Sequence, residues 1–391
     1  MRPSRVKSNM QGGCAQMNRL TGLVFLAGSS QSDTNIHYLS GFTAPDPFLF
    51  LKTDSMSYLL VSVMEKGRAE KQSRPGTKVF TPAEIGLARK QSGKVENQII
   101  ALIEKAKIHW IQVPPDFPAG IFKALEKKGV NVSVFGKPIC PERKTKIKVE
   151  IANLRDSQRA AAAAMNAATA LIGSAKIDGE KRLRTGKKFL MSEKVRRLIH
   201  KTLIDHDCTG IETIVAGGDQ ATDPHERGHG QLYAGQAIII DIFPRNEKTG
   251  YWGDMTRSVC RGPAAPELKK LYNAVKAAQA AALRMVKPGI CADEAHSAAK
   301  AVFAQRGYET KEVDGCHVGF IHGTGHGVGL DIHEHPRVGT SGEMLEVGNV
   351  ITIEPGLYYP GLGGIRIEDT IVVTEKGWRY LAPCEKKFEL L

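Results

Sequence analysis

The chain has 391 residues, more than one compact core usually holds, so we expect two domains. Its 42% hydrophobic and 24% charged residues are ordinary for a globular protein, and no stretch reaches the about 20 apolar residues that span a bilayer. The seven cysteines are scattered without a C-x-x-C pair, which excludes a zinc finger and a disulfide framework and favours a reduced, cytoplasmic protein.

The formal net charge of +13 would suit a nucleic-acid surface, but the basic residues are spread along the chain. The denser runs, Arg143–Lys148 and Lys181–Lys188, contain no interleaved aromatic residues. We interpret them as solvated helix faces and linkers. The sequence therefore predicts neither a nucleic-acid partner nor a membrane partner.

Residues 17–140 alternate between strand-like and helix-like sequence, which is typical of a small α/β domain. The apolar run at Leu20–Ala27 predicts a first strand, with a weak signal peptide as the alternative because basic residues precede it. Residues 1–16 show no pattern and suggest a disordered tail. The other elements predicted here are strands at Tyr58–Val63, Lys78–Phe80 and His109–Val113 and helices at Asn97–Ala106 and Ala119–Lys128.

The segment Cys140–Lys148 contains a proline and a run of positive charge, and it marks a domain boundary. We therefore place two domains at residues 17–145 and 150–391. In the second domain, helical sequence is followed twice by strands rich in Ile and Val, which predicts an α+β domain made of two related halves. The predicted helices are Val149–Ile172, 190–205, Pro266–Val286 and Asp293–Gln305, and the predicted strands are Ile211–Ala216, Ala237–Phe243, Val350–Glu354 and Ile365–Val373.

Two aspartates in the second domain are predicted to lie side by side. Asp241 lies within the apolar strand sequence Ile238–Phe243, where an uncompensated charge is costly. The turn-like stretch Asn246–Gly250 comes next, and Asp254 lies at the start of the next strand. A hairpin would bring the two carboxylates together, and adjacent carboxylates must share a proton or a cation.

Three later segments supply further polar side chains. The glycine-rich run from His322 to His335 excludes a stable helix and contains His326 and His333, a density of histidine that favours a metal or proton-transfer site. Glu354 ends an apolar strand before a proline. Strand alternation places Arg366 and Glu368 on one face and the neighbouring isoleucines on the other.

These segments resemble the motifs of the pita-bread metallopeptidases, the family of Xaa-Pro aminopeptidases, prolidases and methionine aminopeptidases. Asn35–Phe42 also resembles the opening of the creatinase/prolidase N-terminal domain, which accompanies proline-specific members. The spacing of 13 residues from Asp241 to Asp254 is slightly longer than is common in the family, and we interpret it as a longer hairpin turn. The motifs cover about residues 150–391 and are Asp241, Gly250-Tyr-Trp-Gly-Asp254-Met-Thr-Arg, His322-Gly-Thr-Gly-His326, Ile353-Glu354-Pro-Gly and Ile365-Arg366-Ile-Glu368-Asp.

The resemblance implies an α+β pita-bread C-terminal catalytic domain with a smaller α/β creatinase-like N-terminal domain, and a site for two divalent metal ions. Asp241 would bind one ion, His326 and Glu354 the other, and Asp254 and Glu368 would bridge the two. This oxygen-rich set suits Mn²⁺, with Co²⁺, Fe²⁺ or Zn²⁺ as alternatives.

The resemblance also implies roles for the remaining site residues. His225, His333 and Glu354 would be catalytic, with His225 on the leaving-group side, His333 near the substrate carbonyl and Glu354 accepting a proton. His322 and Arg366 would bind substrate, although Arg366 could instead steady the ligand carboxylates. His229 is the alternative to His225, and His335 would be a rim residue.

The implied function is metal-dependent hydrolysis of the Xaa-Pro bond at peptide N-termini, with an Xaa-Pro dipeptidase (prolidase) as the main alternative. A creatinase-like amidinohydrolase, a lyase-like relative or a binding protein for RNA or ribosomes is disfavoured because such relatives have altered metal positions, whereas all five ligand residues are present here. A methionine aminopeptidase is disfavoured by the long N-terminal half. The expected partners are small proline-containing peptides and further copies of the chain, as a homodimer or higher homo-oligomer.

Overall fold

The computed structural model describes residues 21–27, 33–313 and 315–391. The chain divides into two compact units, Met1–Cys140 and Pro141–Leu391. The tail predicted at residues 1–16 lies outside the described residues. Among the helices that are described, none combines the length and the apolar character needed to cross a bilayer.

The N-terminal unit is built on one mixed sheet. The sheet has the strand order β4-β3-β2-β1-β5-β6, in which β1, β2 and β3 pair antiparallel and the outer pairs are parallel. Helices pack apolar side chains such as Ile36 of α1 and Ile99 of α3 against it. The elements are β1 Thr21–Ala27, α1 Thr34–Ser40, β2 Phe48–Lys52, β3 Ser57–Leu60, α2 Lys66–Gln72, β4 Thr77–Phe80, α3 Val95–Ala106, β5 Trp110–Val113, α4 Ala119–Lys127 and β6 Asn131–Val134.

The apolar run predicted as the first strand is the central strand β1, which pairs with β2 and β5. The sequence did not predict β2, β6, α1 or α2. Helix α1 begins after Asp33, whose side chain accepts a hydrogen bond from the Ile36 backbone N–H, and ends at Gly41 with a φ of 72°. These short elements depend on such caps and on burial, because their apolar periodicity is too brief to stand out.

The C-terminal unit contains four long helices and a larger set of short strands. The helices are α5 Lys148–Gly173, α6 Ser192–Ile204, α7 Pro266–Met285 and α8 Ala292–Gln305. The strands are β7 Lys176–Ile177, β8 Leu183–Thr185, β9 Lys188–Phe189, β10 Cys208–Gly210, β11 Ile214–Gly217, β12 Ile238–Ile242, β13 Pro244–Asn246, β14 Met255–Arg261, β15 Lys311–Val313, β16 Cys316–Val318, β17 Gly325–Gly327, β18 Glu334–Val338, β19 Val350–Ile353, β20 Gly356–Tyr359, β21 Gly363–Arg366, β22 Asp369–Thr374, β23 Gly377–Tyr380 and β24 Glu389–Leu390.

Two halves of this unit repeat one arrangement, as the sequence predicted. In the first half, α5 and α6 share a core with the sheet β11-β12-β14-β24, through side chains such as Met165 and Ile240. In the second half, α7 and α8 share a core with the sheet β18-β17-β19-β22-β23, through side chains such as Leu271 and Ile371. Each helix pair buries one sheet face, so the opposite faces are available to carry polar residues.

The C-terminal unit begins at Pro141, ahead of the residue 150 predicted from sequence. The reason is a set of contacts made by the charged segment before α5. Thr145 forms a β-bridge with Asn349, and Arg143 and Lys146 both bond to Glu334. This segment therefore belongs to the second unit rather than to a free linker.

The single strand predicted at Ile365–Val373 is two strands, β21 and β22. The chain pairs with β20 up to Arg366 and changes partner to β19 from Asp369. At the break, the Glu368 N–H donates to the Thr256 carbonyl oxygen over 3.1 Å. The predicted alternation survives the break, because Ile365 and Ile367 are buried in the core while Arg366 and Glu368 line a cavity.

Candidate metal centre

The hairpin predicted around Asp241 is confirmed. Strands β12 and β14 are antiparallel, with Ile242 opposite Met255, so Asp241 and the residue just before β14, Asp254, lie at the same end. The longer connection includes β13 and a turn in which the Gly250 N–H donates to the Asn246 carbonyl oxygen over 2.8 Å. Gly250 has a φ of 76°, which favours glycine.

Asp254 is fixed from behind by helix α5. The Gln158 side-chain amide donates to the Asp254 carbonyl oxygen and accepts from the Asp254 N–H, both over 2.7 Å. Gly253 allows this approach, since a Cβ there would lie 2.7 Å from the Ser157 backbone. Thr370 also donates to the Asp254 carbonyl oxygen over 2.7 Å. The backbone of Asp254 is therefore held independently of its carboxylate.

The second half of the unit supplies His326 and Glu354. His326 lies in β17, and its Nδ1 is 3.1 Å from the Gly327 carbonyl oxygen, so Nδ1 carries the proton and donates. Its Nε2 lies 3.2 Å from Glu354 Oε1 and 3.6 Å from Asp254 Oδ2. Burial alone would lower the pKa of His326, but the hydrogen bond to Glu354 and the charges on Glu354 and Asp254 raise it overall, so Nε2 favours a proton in this position. A cation between the carboxylates could take the place of that proton, with Nε2 as a ligand.

Glu368 completes a group of three whose ligand atoms, with those of Asp254 and His326, all lie within 4.8 Å of one another. Thr256 donates to Glu368 Oε2 over 2.7 Å. Behind it, Arg257 donates to the Glu368 carbonyl oxygen over 2.5 Å and to Asp369 Oδ1 over 2.7 Å. The Glu368 carboxylate is therefore oriented by β14, from the other half of the unit.

The electrostatics of this group favour a bound cation. Burial, then the charge on Asp241, raise the pKa of Asp254 well above its usual range. Burial, then the charges on Asp254 and Glu354, do the same to the pKa of Glu368. Carboxylates that repel one another in a buried site can remain ionised only where positive charge compensates them.

Arg366 compensates one of these charges. Its Nη2 donates to Asp241 Oδ2 over 2.6 Å, and its Nη1 donates to the Tyr358 hydroxyl oxygen over 2.9 Å. Tyr358 in turn contacts His322 Nε2 at 2.9 Å. Asp241 Oδ1 is buried and has no hydrogen-bond partner among the described residues, although a buried carboxylate oxygen is normally paired.

The predicted catalytic histidines lie around this cluster. His333 is exposed to the cavity, with its ring packed edge-to-face on His326 at 4.3 Å between centroids. Partial burial of the His333 ring, and then the positive charges on His326 and Arg337, lower the pKa of His333 to about 4. Burial, first of all, also lowers the pKa of His322. His225 lines the cavity as well, and its backbone N–H donates to Asp223 Oδ1 over 2.9 Å.

One cavity of about 750 Å³ contains every site residue predicted from sequence. His229 and His335, the two histidines given lesser roles, do not line it and are exposed. The predicted residues that line it are His225, Asp241, Asp254, His322, His326, His333, Glu354, Arg366 and Glu368.

The residues that support the site and that sequence reasoning did not assign include Gln158, Thr256 and Tyr358. Thr256 could have been suspected, because it lies in β14 only two residues after Asp254. Tyr358 and Gln158 carry no local signal, since each resembles an ordinary buried residue until its partners are known.

The donor set fits divalent cations. It offers one imidazole nitrogen and four carboxylates. The buried Asp241 Oδ1 has no partner among the described residues, and His326 Nε2 lies beside the carboxylates of Glu354 and Asp254. Asp241 and Glu354 lie outside the tight group of three but line the same cavity.

Residues 152–375 match the sequence pattern of Metallopeptidase family M24. The chain belongs to this family. It is therefore a metallo-hydrolase, and the resemblance inferred from the motifs is confirmed.

Three comparisons show how far the similarity extends. The chain is 30% identical over 358 residues to the Xaa-Pro dipeptidase of Pyrococcus horikoshii, covering 90% of this chain and 91% of that protein. It is 38% identical over 179 residues to the Xaa-Pro dipeptidase of Pyrococcus furiosus, covering 45% of this chain and about half, 49%, of that protein. The structure of the Pyrococcus horikoshii prolidase matches with a TM-score of 0.77 and 27% identity, over 94% of this chain and 95% of that one. The expected two-domain pita-bread architecture is thereby confirmed.

Proposed function

We propose that this M24 protein hydrolyses the peptide bond between an N-terminal residue and proline, using two divalent metal ions. The observation that carries the proposal is the convergence of one histidine and four carboxylates from two sheets on a single cavity, where Asp241 Oδ1 has no partner among the described residues. The names of the two Pyrococcus relatives support the choice of substrate.

In this proposal, Asp241, Asp254, His326, Glu354 and Glu368 would hold the two ions, since all five side chains line the same cavity. Manganese is the first candidate because the ligand set is rich in oxygen, and cobalt, iron and zinc are the alternatives. When bound, such a pair supplies Lewis acidity and an activated water nucleophile at neutral pH.

The chain's own residues bind, orient and move protons. Glu354 lines the cavity and accepts the nucleophile's proton. The imidazoles of His333 and His225 also line the cavity. His333 donates a hydrogen bond to the developing oxyanion, and His225 helps to protonate the proline nitrogen as it leaves. Arg366 donates hydrogen bonds to Asp241 and Tyr358, so its main role is to hold the Asp241 carboxylate in position. His322 lines the same cavity and binds the substrate.

The choice between an aminopeptidase and a dipeptidase concerns the peptide beyond the proline. An aminopeptidase accepts further residues there, whereas a prolidase requires the free carboxylate of the proline itself. Both Pyrococcus relatives carry the dipeptidase name, which favours a dipeptide as the first substrate to test. A creatinase-like or binding-only role is disfavoured because all five ligand side chains are present and line one cavity.

We further propose that the N-terminal unit is a creatinase/prolidase-like domain and that the C-terminal unit, Pro141–Leu391, is the catalytic domain. A cytoplasmic location and assembly into a homodimer or larger homo-oligomer stay predictions from the sequence.

Hydrolysis of Ala-Pro and Ala-Pro-Ala, with Mn²⁺ and with EDTA, tests the proposal. Metal-dependent cleavage of the tripeptide indicates an Xaa-Pro aminopeptidase, and cleavage of the dipeptide alone indicates a prolidase. If protein shown to hold two metal ions cleaves neither, the proline specificity is wrong.

A further inference from the structure

A second charged cluster lies beside the metal centre and is not part of it. Glu334 is only 8% exposed and contacts two cations from the segment before α5. Lys146 Nζ lies 3.0 Å from Glu334 Oε2, and Arg143 Nη2 donates to Glu334 Oε1. The same Arg143 nitrogen lies 2.8 Å from Asp331 Oδ2. Arg143 therefore joins two carboxylates that flank Ile332 and His333.

The loop between these carboxylates is fixed at several further points. The Asp331 N–H donates to Glu334 Oε1 over 3.0 Å, which closes the loop on itself. A Cβ at Gly329 would lie 2.3 Å from Glu334 Oε2, so the backbone there packs directly on the carboxylate. Trp252, in the lengthened β12–β14 connection, donates from its indole to the Leu330 carbonyl oxygen over 2.9 Å.

Of the two cations that contact Glu334, Arg143 is the one that is certain to carry a positive charge. Burial alone would raise the pKa of Glu334, but the charges on Lys146 and Arg143 lower it overall, so Glu334 is ionised at neutral pH. Burial lowers the pKa of Lys146, with Glu334 acting in the opposite sense. Guanidinium groups stay charged in proteins, so Arg143 is the cation whose charge is secure.

His333 depends on this loop for its position. Its ring is exposed to the cavity and packs edge-to-face on His326. Its backbone lies between two residues that are both bonded to Arg143. A displacement of about 1 Å at a reacting group can cost on the order of a hundredfold in rate.

We propose that Arg143 is a positioning residue for His333, acting through Glu334 and Asp331. The proposal rests on the role proposed above for His333. In this proposal, the charged segment before α5 affects catalysis, although its Arg143 lies 191 residues from Glu334 in the sequence.

The test is a double-mutant cycle of Arg143→Met and His333→Ala in the Mn²⁺-loaded full-length protein, with whichever of Ala-Pro and Ala-Pro-Ala the wild type cleaves. We expect Arg143→Met to lower kcat about tenfold or more with KM within about twofold. In the His333→Ala background the same substitution should change kcat by less than about twofold, because the group it positions is absent. Arg143→Lys should restore part of the loss, since it keeps the charge but not the fork.

Lys144→Met is the matched control, because Lys144 lies in the same segment but pairs with Glu346 on the surface. It should leave kcat within about twofold of wild type. Asp331→Asn serves if Arg143→Met does not fold, since it removes one anion contacted by Arg143 at a half-exposed position. It should show the same dependence on His333.

The outcomes separate the two proposals. An equal loss from Arg143→Met with and without His333 overturns the positioning role, as does a loss of thermal stability with unchanged kcat. Wild-type turnover by His333→Ala overturns both the positioning role and the role of His333. A readout without substrate is the signal of the non-exchanging Cε1–H proton of the His333 imidazole in metal-free protein, assigned by its disappearance in His333→Ala. That signal should shift in Arg143→Met and not in Lys144→Met, and an unchanged signal in both contradicts the inference whatever the substrate is.

Discussion

The Arg366 guanidinium lies 2.6 Å from Asp241 Oδ2 and leaves Oδ1 of the same carboxylate without a protein partner in the described part of the chain. Both side chains are buried, and the two residues are 125 positions apart in the sequence. One oxygen is therefore committed to orienting the carboxylate, and the other is available as a ligand. Because Arg366 holds one carboxylate oxygen and leaves the other available, its geometry as well as its charge is important for the site.

Arg366→Lys should test that geometry. A lysine keeps the positive charge but cannot contact Asp241 and Tyr358 together, because it lacks the planar fork. We expect kcat to fall roughly a hundredfold while the protein remains folded. Steady-state kinetics and thermal unfolding check this, with Arg379→Lys at an exposed position as the control. Unchanged kcat would mean that the charge of Arg366 is sufficient.

Asp254→Asn should affect metal-free and metal-loaded protein in opposite directions. Because burial and the charge on Asp241 raise the pKa of Asp254, metal-free protein must on folding either bury that charge or bind a proton there. An amide avoids this cost, so the Tm of metal-free protein should rise by roughly 2 °C or more. The increase in Tm on adding Mn²⁺ should disappear together with turnover, because a metal ligand is lost. Thermal unfolding in EDTA and in Mn²⁺ measures both effects. Asp156→Asn, on the exposed face of α5, is the control. If Mn²⁺ raised the Tm of Asp254→Asn as much as that of the wild type, the assignment of Asp254 as a ligand would be wrong.

Gly253→Ala should weaken the support of Asp254 by α5. The added Cβ would lie 2.7 Å from the Ser157 backbone, so the helix or the strand has to shift. We expect a loss of about 1–3 kcal/mol in the free energy of unfolding and a lower affinity for Mn²⁺. Gly179→Ala is the matched control, because no atom lies within 4 Å of its added Cβ. Equal stability of the two variants in denaturant titrations would contradict the close packing of α5 on Gly253.

His200 should contribute to acid sensitivity. Burial first, and then the charges on Arg227 and Arg196, lower the pKa of His200, whose ring contacts Thr213 Oγ1 at 3.2 Å. Below the ordinary histidine pKa of about 6.5, the unfolded chain binds a proton that folded His200 does not. Stability from this residue is therefore complete above that pH and decreases as the pH falls toward the lowered folded value.

The variant His200→Gln isolates this effect, because glutamine does not titrate. Thermal unfolding of metal-free protein between pH 7.5 and 5.5 should show a smaller decrease in Tm for the variant than for the wild type. His206→Gln, which removes another histidine near the end of α6, serves as the control. Identical pH profiles for wild type and His200→Gln would refute the prediction.

The sequence by itself determined the chemistry of the site. Asp241 within an apolar strand, histidines among glycines and Glu354 at a strand end are local signals, because each places a polar group where burial would otherwise be costly. The family motifs around them indicated which residues to propose as ligands, and the periodicity of the long helices predicted α5 to α8 closely. These features depend on neighbours within a few residues, and so they are visible in the chain alone.

Only the tertiary structure decided which groups support those residues. Tyr358 between His322 and Arg366, Gln158 behind Asp254, and Arg143 on Glu334 are pairings between distant segments, and no local pattern distinguishes them from ordinary buried residues. The break at Glu368 likewise depends on the strand exchanging one partner for another, which a regular alternation conceals. The kind of side chain at each position is visible in the local sequence. The orientation of a carboxylate or an imidazole depends on the distant segment that packs behind it, which only the folded structure shows.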